Sequence, residues 1–147
     1  MKEHSVKHDT FFIERNYNAL PARVFAAWAD PAIKANWFPK ADEFDFRVGG
    51  REIVRGGAPD GTIYSSVATF QEIASDKRIV YTLAIDMGET RISVSVMTVE
   101  FKSEGTGTQL IYTEQCAFLD GLDSLEDHME GANDFLDKLD MELKRAN

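Results

Sequence analysis

Between Phe44 and Phe118 the chain is interrupted five times by turn-forming residues, at Gly49-Gly50, Pro59-Asp60-Gly61, Asp76-Lys77, Met87-Gly88 and Gly105-Thr106-Gly107. No stretch between them holds a helical period over four turns, so the whole region reads as strands joined by tight turns. Parallel neighbours need long crossovers, usually helical, and none is available here. The strands at 44–48, 51–55, 62–73, 78–86, 91–101 and 108–118 therefore form an antiparallel meander. A further strand precedes them, where Phe11, Ile13 and Tyr17 alternate with Glu14 and Asn16. Long strands twist strongly, and a sheet of about seven such strands curls rather than lying flat.

A curled sheet needs something to enclose. After Asp120-Gly121, Ser124 and Asp127 have the spacing of a reciprocal capping box. Leu125, Met129, Ala132, Leu136, Leu139 and Leu143 then recur at steps of four and three, with acids on the opposite face. Glu126 and Asp127 at the start and Lys144 and Arg145 at the end suit the helix dipole. Gly131 interrupts this good helix at a cost of about 1 kcal/mol relative to Ala, so either the sheet or a ligand comes close there. Earlier in the chain, Pro21 opens a short helix carrying Val24, Phe25 and Trp28, and Asp30-Pro31 caps and starts a second that ends at Phe38-Pro39. The expected fold class is α+β, a curved antiparallel sheet wrapped around a long C-terminal helix. Residues 1–9 read as a loose tail and 10–147 as a single domain.

Charge and cysteine usage remove several function classes. The net charge is −9, and nine acids lie between Asp120 and Glu142 against Lys138 alone. Nucleic acid and anionic membrane surfaces would be repelled, since no basic stripe exists to displace their counterions. Cys116 is the one cysteine, which excludes an internal disulfide and a cysteine-based zinc or iron–sulfur site. The first residues lack a signal-peptide core and no apolar run reaches bilayer length, so the expected location is the cytoplasm.

Few residues carry recognisable chemistry. His4 and His8 are spaced for a metal pair only on a helix, and their segment has no helical pattern. Gly56-Gly57 and Gly105-Thr106-Gly107 match no phosphate-binding spacing and read as turns. Cys116 and His128 are the components of a thiol–imidazole pair, although a small buried thiol is the simpler reading. Glu114 stands out. If its strand turns Leu110 and Tyr112 inward, the period of two carries Glu114 and Cys116 to the same side, where the carboxylate must pair, bind a polar ligand group or protonate. Its simplest partner is a nearby hydroxyl, Arg or rim water; its functional role would be the polar anchor of a pocket. Trp28, Trp37, Phe70, Tyr81, Tyr112 and Phe135 supply the aromatic surface, and Leu83 is an aliphatic candidate for the same wall.

The ordered set Asn18-Ala19-Leu20-Pro21-Ala22-Arg23-Val24-Phe25, Trp28-Ala29-Asp30-Pro31, Trp37-Phe38, Arg47-Val48-Gly49-Gly50, Phe70-Gln71-Glu72-Ile73, Arg78-Ile79-Val80-Tyr81, Gly107-Thr108-Gln109-Leu110 and His128-Met129-Glu130-Gly131 resembles the activator-of-heat-shock-protein-90-ATPase homologue-like family of the START/Bet v (SRPBCC) superfamily. The likeness runs from about residue 10 to about residue 145. It implies a helix-grip fold, a cavity for an apolar or aromatic small molecule, and no required metal or cofactor. The family commonly has Trp after the helix glycine; Ala132 stands here instead and reshapes or enlarges the pocket. Relatives include ligand carriers, cyclases and dehydratases acting on polyketides, and co-chaperone domains. The leading expectation is a binding module for a lipid, polyketide or aromatic metabolite, as monomer or homodimer. Its candidate cavity residues are Trp28, Trp37, Phe70, Tyr81, Leu83, Tyr112, Glu114, His128 and Phe135, with no catalytic residue assigned. The alternatives are an enzyme of cyclase, dehydratase or hydrolase type using Glu114 with Tyr112 or His128, and a chaperone partner docking on the acidic helix face.

Overall fold

The computed structural model describes residues 4–145. Seven strands form one antiparallel sheet in the order β1-β7-β6-β5-β4-β3-β2, as the run of turn signals requires. They are β1 (Val6–Tyr17), β2 (Glu43–Phe44), β3 (Arg51–Gly57), β4 (Ile63–Ala74), β5 (Arg78–Met87), β6 (Thr90–Glu104) and β7 (Gly107–Leu119). Helices α1 (Pro21–Ala29) and α2 (Pro31–Lys34) follow β1, and α3 (Leu125–Arg145) closes the chain. This is the helix-grip α+β architecture.

Three sequence expectations need correction. The first strand starts at Val6, so residues 6–9 of the expected loose tail pair with Leu119 to Cys116 of β7. Ser5 extends the tie: its amide donates to the Asp120 carboxylate at 2.8 Å and its carbonyl accepts from the Asp120 amide. Residues 1–3, also part of that expected tail, lie outside the described residues. Polarity concealed this strand, because its outward side chains are exposed. The strand expected at 44–48 stops at Phe44. Beyond it the amides of Arg47 and Gly50 turn back onto the carbonyls of Asp45 and Arg47, which withdraws them from any ladder. The corner is so tight that a Cβ on Gly50 would fall 2.1 Å from the Asp45 carbonyl oxygen, which only glycine tolerates. Third, Gly56 and Gly57 are not a turn but the end of β3, opposite Tyr64 and Ile63.

The capping of α3 is half as expected. The Asp127 amide donates to Ser124 Oγ at 3.2 Å, while the Ser124 amide donates to Asp123 rather than to Asp127. In α2, Asp30 caps as its position suggests, accepting from the amides of Ala32 and Ile33.

Bulges at Phe70/Glu72 and Ile85/Asp86 help the sheet curve. The concave face buries Leu110, Tyr112, Glu114, Cys116 and Phe118 from β7. Ala132, Leu136, Leu139 and Leu143 of α3 are buried on the other side of the same core. Each such leucine contributes about 1.5–3 kcal/mol by leaving water. Tyr17 fixes the helix to the sheet, its hydroxyl donating to the Leu136 carbonyl at 3.0 Å, and Arg15 adds a 2.8 Å ion pair to Asp137.

Candidate functional site

Under α3 the sheet and helix do not close completely. A cavity of about 420 Å³ opens between α3, the segment at Trp37 to Pro39, and strands β5, β6 and β7. Of the nine expected wall residues, Trp37, Leu83, Tyr112, Glu114, His128 and Phe135 line it. Trp28, Phe70 and Tyr81 do not: Trp28 is 2 % and Phe70 3 % exposed within the aromatic core, and Tyr81 packs its ring on Phe70. Trp28 stacks edge-on against Trp37 at 5.0 Å and so supports the wall from behind. The sequence reading omitted Phe38, Pro39, Ile85, Met97, Asp127, Asp134 and Lys138; Gly131 and Ala132, which it had connected with the pocket without placing them among the wall candidates, also border the space. Hydrophobic periodicity identified Ala132 as inward, but no periodicity reveals that the space in front of it stays empty. A Cβ built on Gly131 meets nothing within 4 Å, so the sheet does not approach the helix there.

At one end the wall is polar. The alternation of β7 turns Glu114 inward to 2 % exposure, answering the question its sequence left open. Its Oε1 accepts from the Tyr112 hydroxyl at 2.8 Å. Its Oε2 accepts from the Cys116 thiol at 3.2 Å and from Nδ1 of His128. The other imidazole nitrogen, Nε2, bonds the Asp123 carboxylate at 2.6 Å. Cys116 and His128 do converge, but on a shared carboxylate. Asp123, in the connection just before α3, is the partner that the sequence reading missed. Its spacing of five residues from His128 across the helix N-terminus was the available signal.

Both nitrogens of His128 face acidic groups, an arrangement that favours a proton on each. Burial alone would lower its pKa, but Asp123, Cys116 and Glu114 outweigh burial and push it up to about 12. Burial likewise works to raise the Asp123 carboxyl, yet His128 and the Ser124 amide hold it below its ordinary value. The Tyr112 hydroxyl is pushed well up, first by burial and then by neighbouring Tyr81 and Glu114. Burial raises the pKa of Tyr81 too. One donor atom each from Glu114, Cys116 and His128 lie within 4.8 Å of one another, a set of ligand types that suits a transition metal. A metal there would have to displace the imidazole proton now shared with Glu114. His4 takes no part, lying 3.4 Å from Asp120, and His8 stands on the exposed side of β1.

A family model described as activator of Hsp90 ATPase homolog 1-like protein matches residues 18–144. The chain belongs to that family. An uncharacterised protein of Rhizobium leguminosarum is 38% identical over 98% of this chain and 99% of its own, with a TM-score of 0.92. Mll3558 of Rhizobium loti is 44% identical over 94% of this chain and 99% of its own, with a TM-score of 0.90. CalU16 of Micromonospora echinospora, at 20% identity over 96% and 85% of the two chains, shares the fold with a TM-score of 0.68. No curated protein matches the chain. For this member of the Hsp90-ATPase-activator-homologue family, the fold is of a type that commonly accommodates hydrophobic ligands. Among the described residues, no helix is long and apolar enough to cross a membrane.

Proposed function

We propose that the chain binds a hydrophobic small molecule in the cavity beneath α3, with one polar group of that molecule turned towards Glu114. The observation that carries this reading is the cavity itself: about 420 Å³, walled by Trp37, Phe38, Leu83, Met97 and Phe135, with the Tyr112, Glu114 and His128 cluster on one side and the charged residues Asp127, Asp134 and Lys138 completing the lining. Specific ligand sites commonly combine this size with an apolar wall and a few convergent polar atoms.

The polar cluster itself favours binding over acid–base catalysis. A general acid or base works best with a pKa near the operating pH. His128, pushed up to about 12, holds its proton throughout the neutral range, and Tyr112 is shifted in the same direction. Such groups orient a ligand well and exchange protons with it poorly.

Titration with Nile red, an uncharged dye that brightens in apolar surroundings, tests the reading. A saturable one-to-one signal, lost when Ala132 is replaced by Trp to fill the cavity, is the expected result. A dye signal that is absent, or unaffected by that substitution in a folded variant, refutes it.

A further inference from the structure

We propose, building on the binding role above, that the cavity selects molecules whose polar group donates a hydrogen bond, such as an alcohol, phenol or amine, and discriminates against carboxylates and phosphates. The reason is an inventory of donors and acceptors around the polar end. The Tyr112 proton is committed to Glu114, the Cys116 thiol proton to Glu114, and the two ring protons of His128 to Glu114 and Asp123. Tyr112 has a single hydroxyl proton, and it is spent on Glu114. Strand amides are engaged in the ladder on both sides of β7.

What remains available is acceptor capacity. Glu114 Oε1 receives one hydrogen bond and has room for another, and the phenolic oxygen of Tyr112 retains a lone pair. Both residues line the cavity. Ser95, opposite Cys116 on β6, is buried with no hydrogen-bond partner for its hydroxyl among the described residues, but it does not line the cavity.

Charge points the same way. Glu114 and Asp123 place two acidic groups around one imidazole, so the polar end is already supplied with acceptors and its imidazole protons are spent on them. Among the exposed charged residues of the lining, Asp127 and Asp134 outnumber Lys138. A carboxylate placed inwards would meet like charge and no donor. Placed outwards it would meet Lys138, where water weakens the attraction. An alcohol placed inwards would give its proton to the free acceptor position on Glu114 Oε1 or on the Tyr112 oxygen.

The test is displacement of Nile red from the intact protein by four probes of one chain length: decanol, decylamine, decanoate and decyl methyl ether. Decanol and decylamine are expected to displace the dye at concentrations about tenfold lower than the ether, the value of one hydrogen bond to a charged group, with decanoate weakest. Decanoate or the ether competing as well as decanol overturns the donor rule while leaving the binding role standing. Failure of the dye to bind overturns both. Glu114→Gln brings an amide donor into the wall, and the alcohol-over-carboxylate preference is expected to shrink towards parity. An unchanged preference in that folded variant overturns the assignment to Glu114. Should the variant not fold, the four-probe comparison on the unaltered protein decides.

Discussion

His128 shows how strongly one side chain's chemistry depends on its neighbours. Its folded pKa lies above the ordinary 6.5, so the stabilisation it brings is complete below that value and is lost as pH rises towards about 12. Asp123 works in the opposite sense: its carboxyl is held below 3.8, so its contribution is present above that pH and disappears on acidification. In urea unfolding, the stability gap between the unaltered protein and His128→Gln should narrow between about pH 6 and about pH 9; a constant gap would mean that His128 is neutral when folded. A second buried pair went unnoticed in the sequence. Lys34 Nζ lies 2.6 Å from Glu52 Oε1, both side chains are at most 8 % exposed, and the ammonium also sits over the Phe38 ring at 4.7 Å. Lys34→Met alone should cost about 3 kcal/mol by stranding Glu52, and adding Glu52→Leu should restore most of it, as denaturation of the two variants would show. Nothing in a four-residue helix and a strand 18 positions away announces such a pair.

At the scale of elements, period and punctuation were sufficient to read most of the structure. The four-three spacing in α3 holds at Ala132, Leu136, Leu139 and Leu143, while Met129 stands 36 % exposed and the acid Glu142 is buried; the alternation that β7 offered conditionally holds as well. What α3 leaves empty is the more informative matter. Because a Cβ on Gly131 meets nothing within 4 Å, Gly131→Ala should raise stability by up to about 1 kcal/mol through helix propensity, measurable as an increase in Tm. A drop in Tm would show that the backbone at Gly131 is in closer contact than this geometry allows. The large ring of Ala132→Trp has to enter the cavity, so that variant should lose Nile red affinity by about tenfold or more while retaining helical circular dichroism. Where the element reading failed, at 44–48 and in the N-terminal segment, local turn bonds and a polar exposed face concealed the true bounds.

On the scale of the whole molecule, the first strand is tied to the last. β1 lies at one edge of the sheet and pairs along its full length with β7, the strand that leads into α3. Removing residues 1–9 deletes the pairs from Val6 to Asp9 and the link between Ser5 and Asp120, and should lower stability on the order of 2 kcal/mol in urea unfolding. An unchanged midpoint would restore the loose-tail reading. The sequence by itself determined the antiparallel order of the strands and the long helix that follows them, because turn chemistry and hydrophobic period are local properties that residues carry with them, while the facing of β7 stayed conditional. It could not determine whether the hollow under α3 is filled, nor that Asp123, Tyr112, Cys116 and His128 gather around Glu114. Those depend on curvature and on distances between segments far apart along the chain. Side chains belonging to different elements acquire their neighbours, and with them their protonation, only once the sheet has closed around the helix.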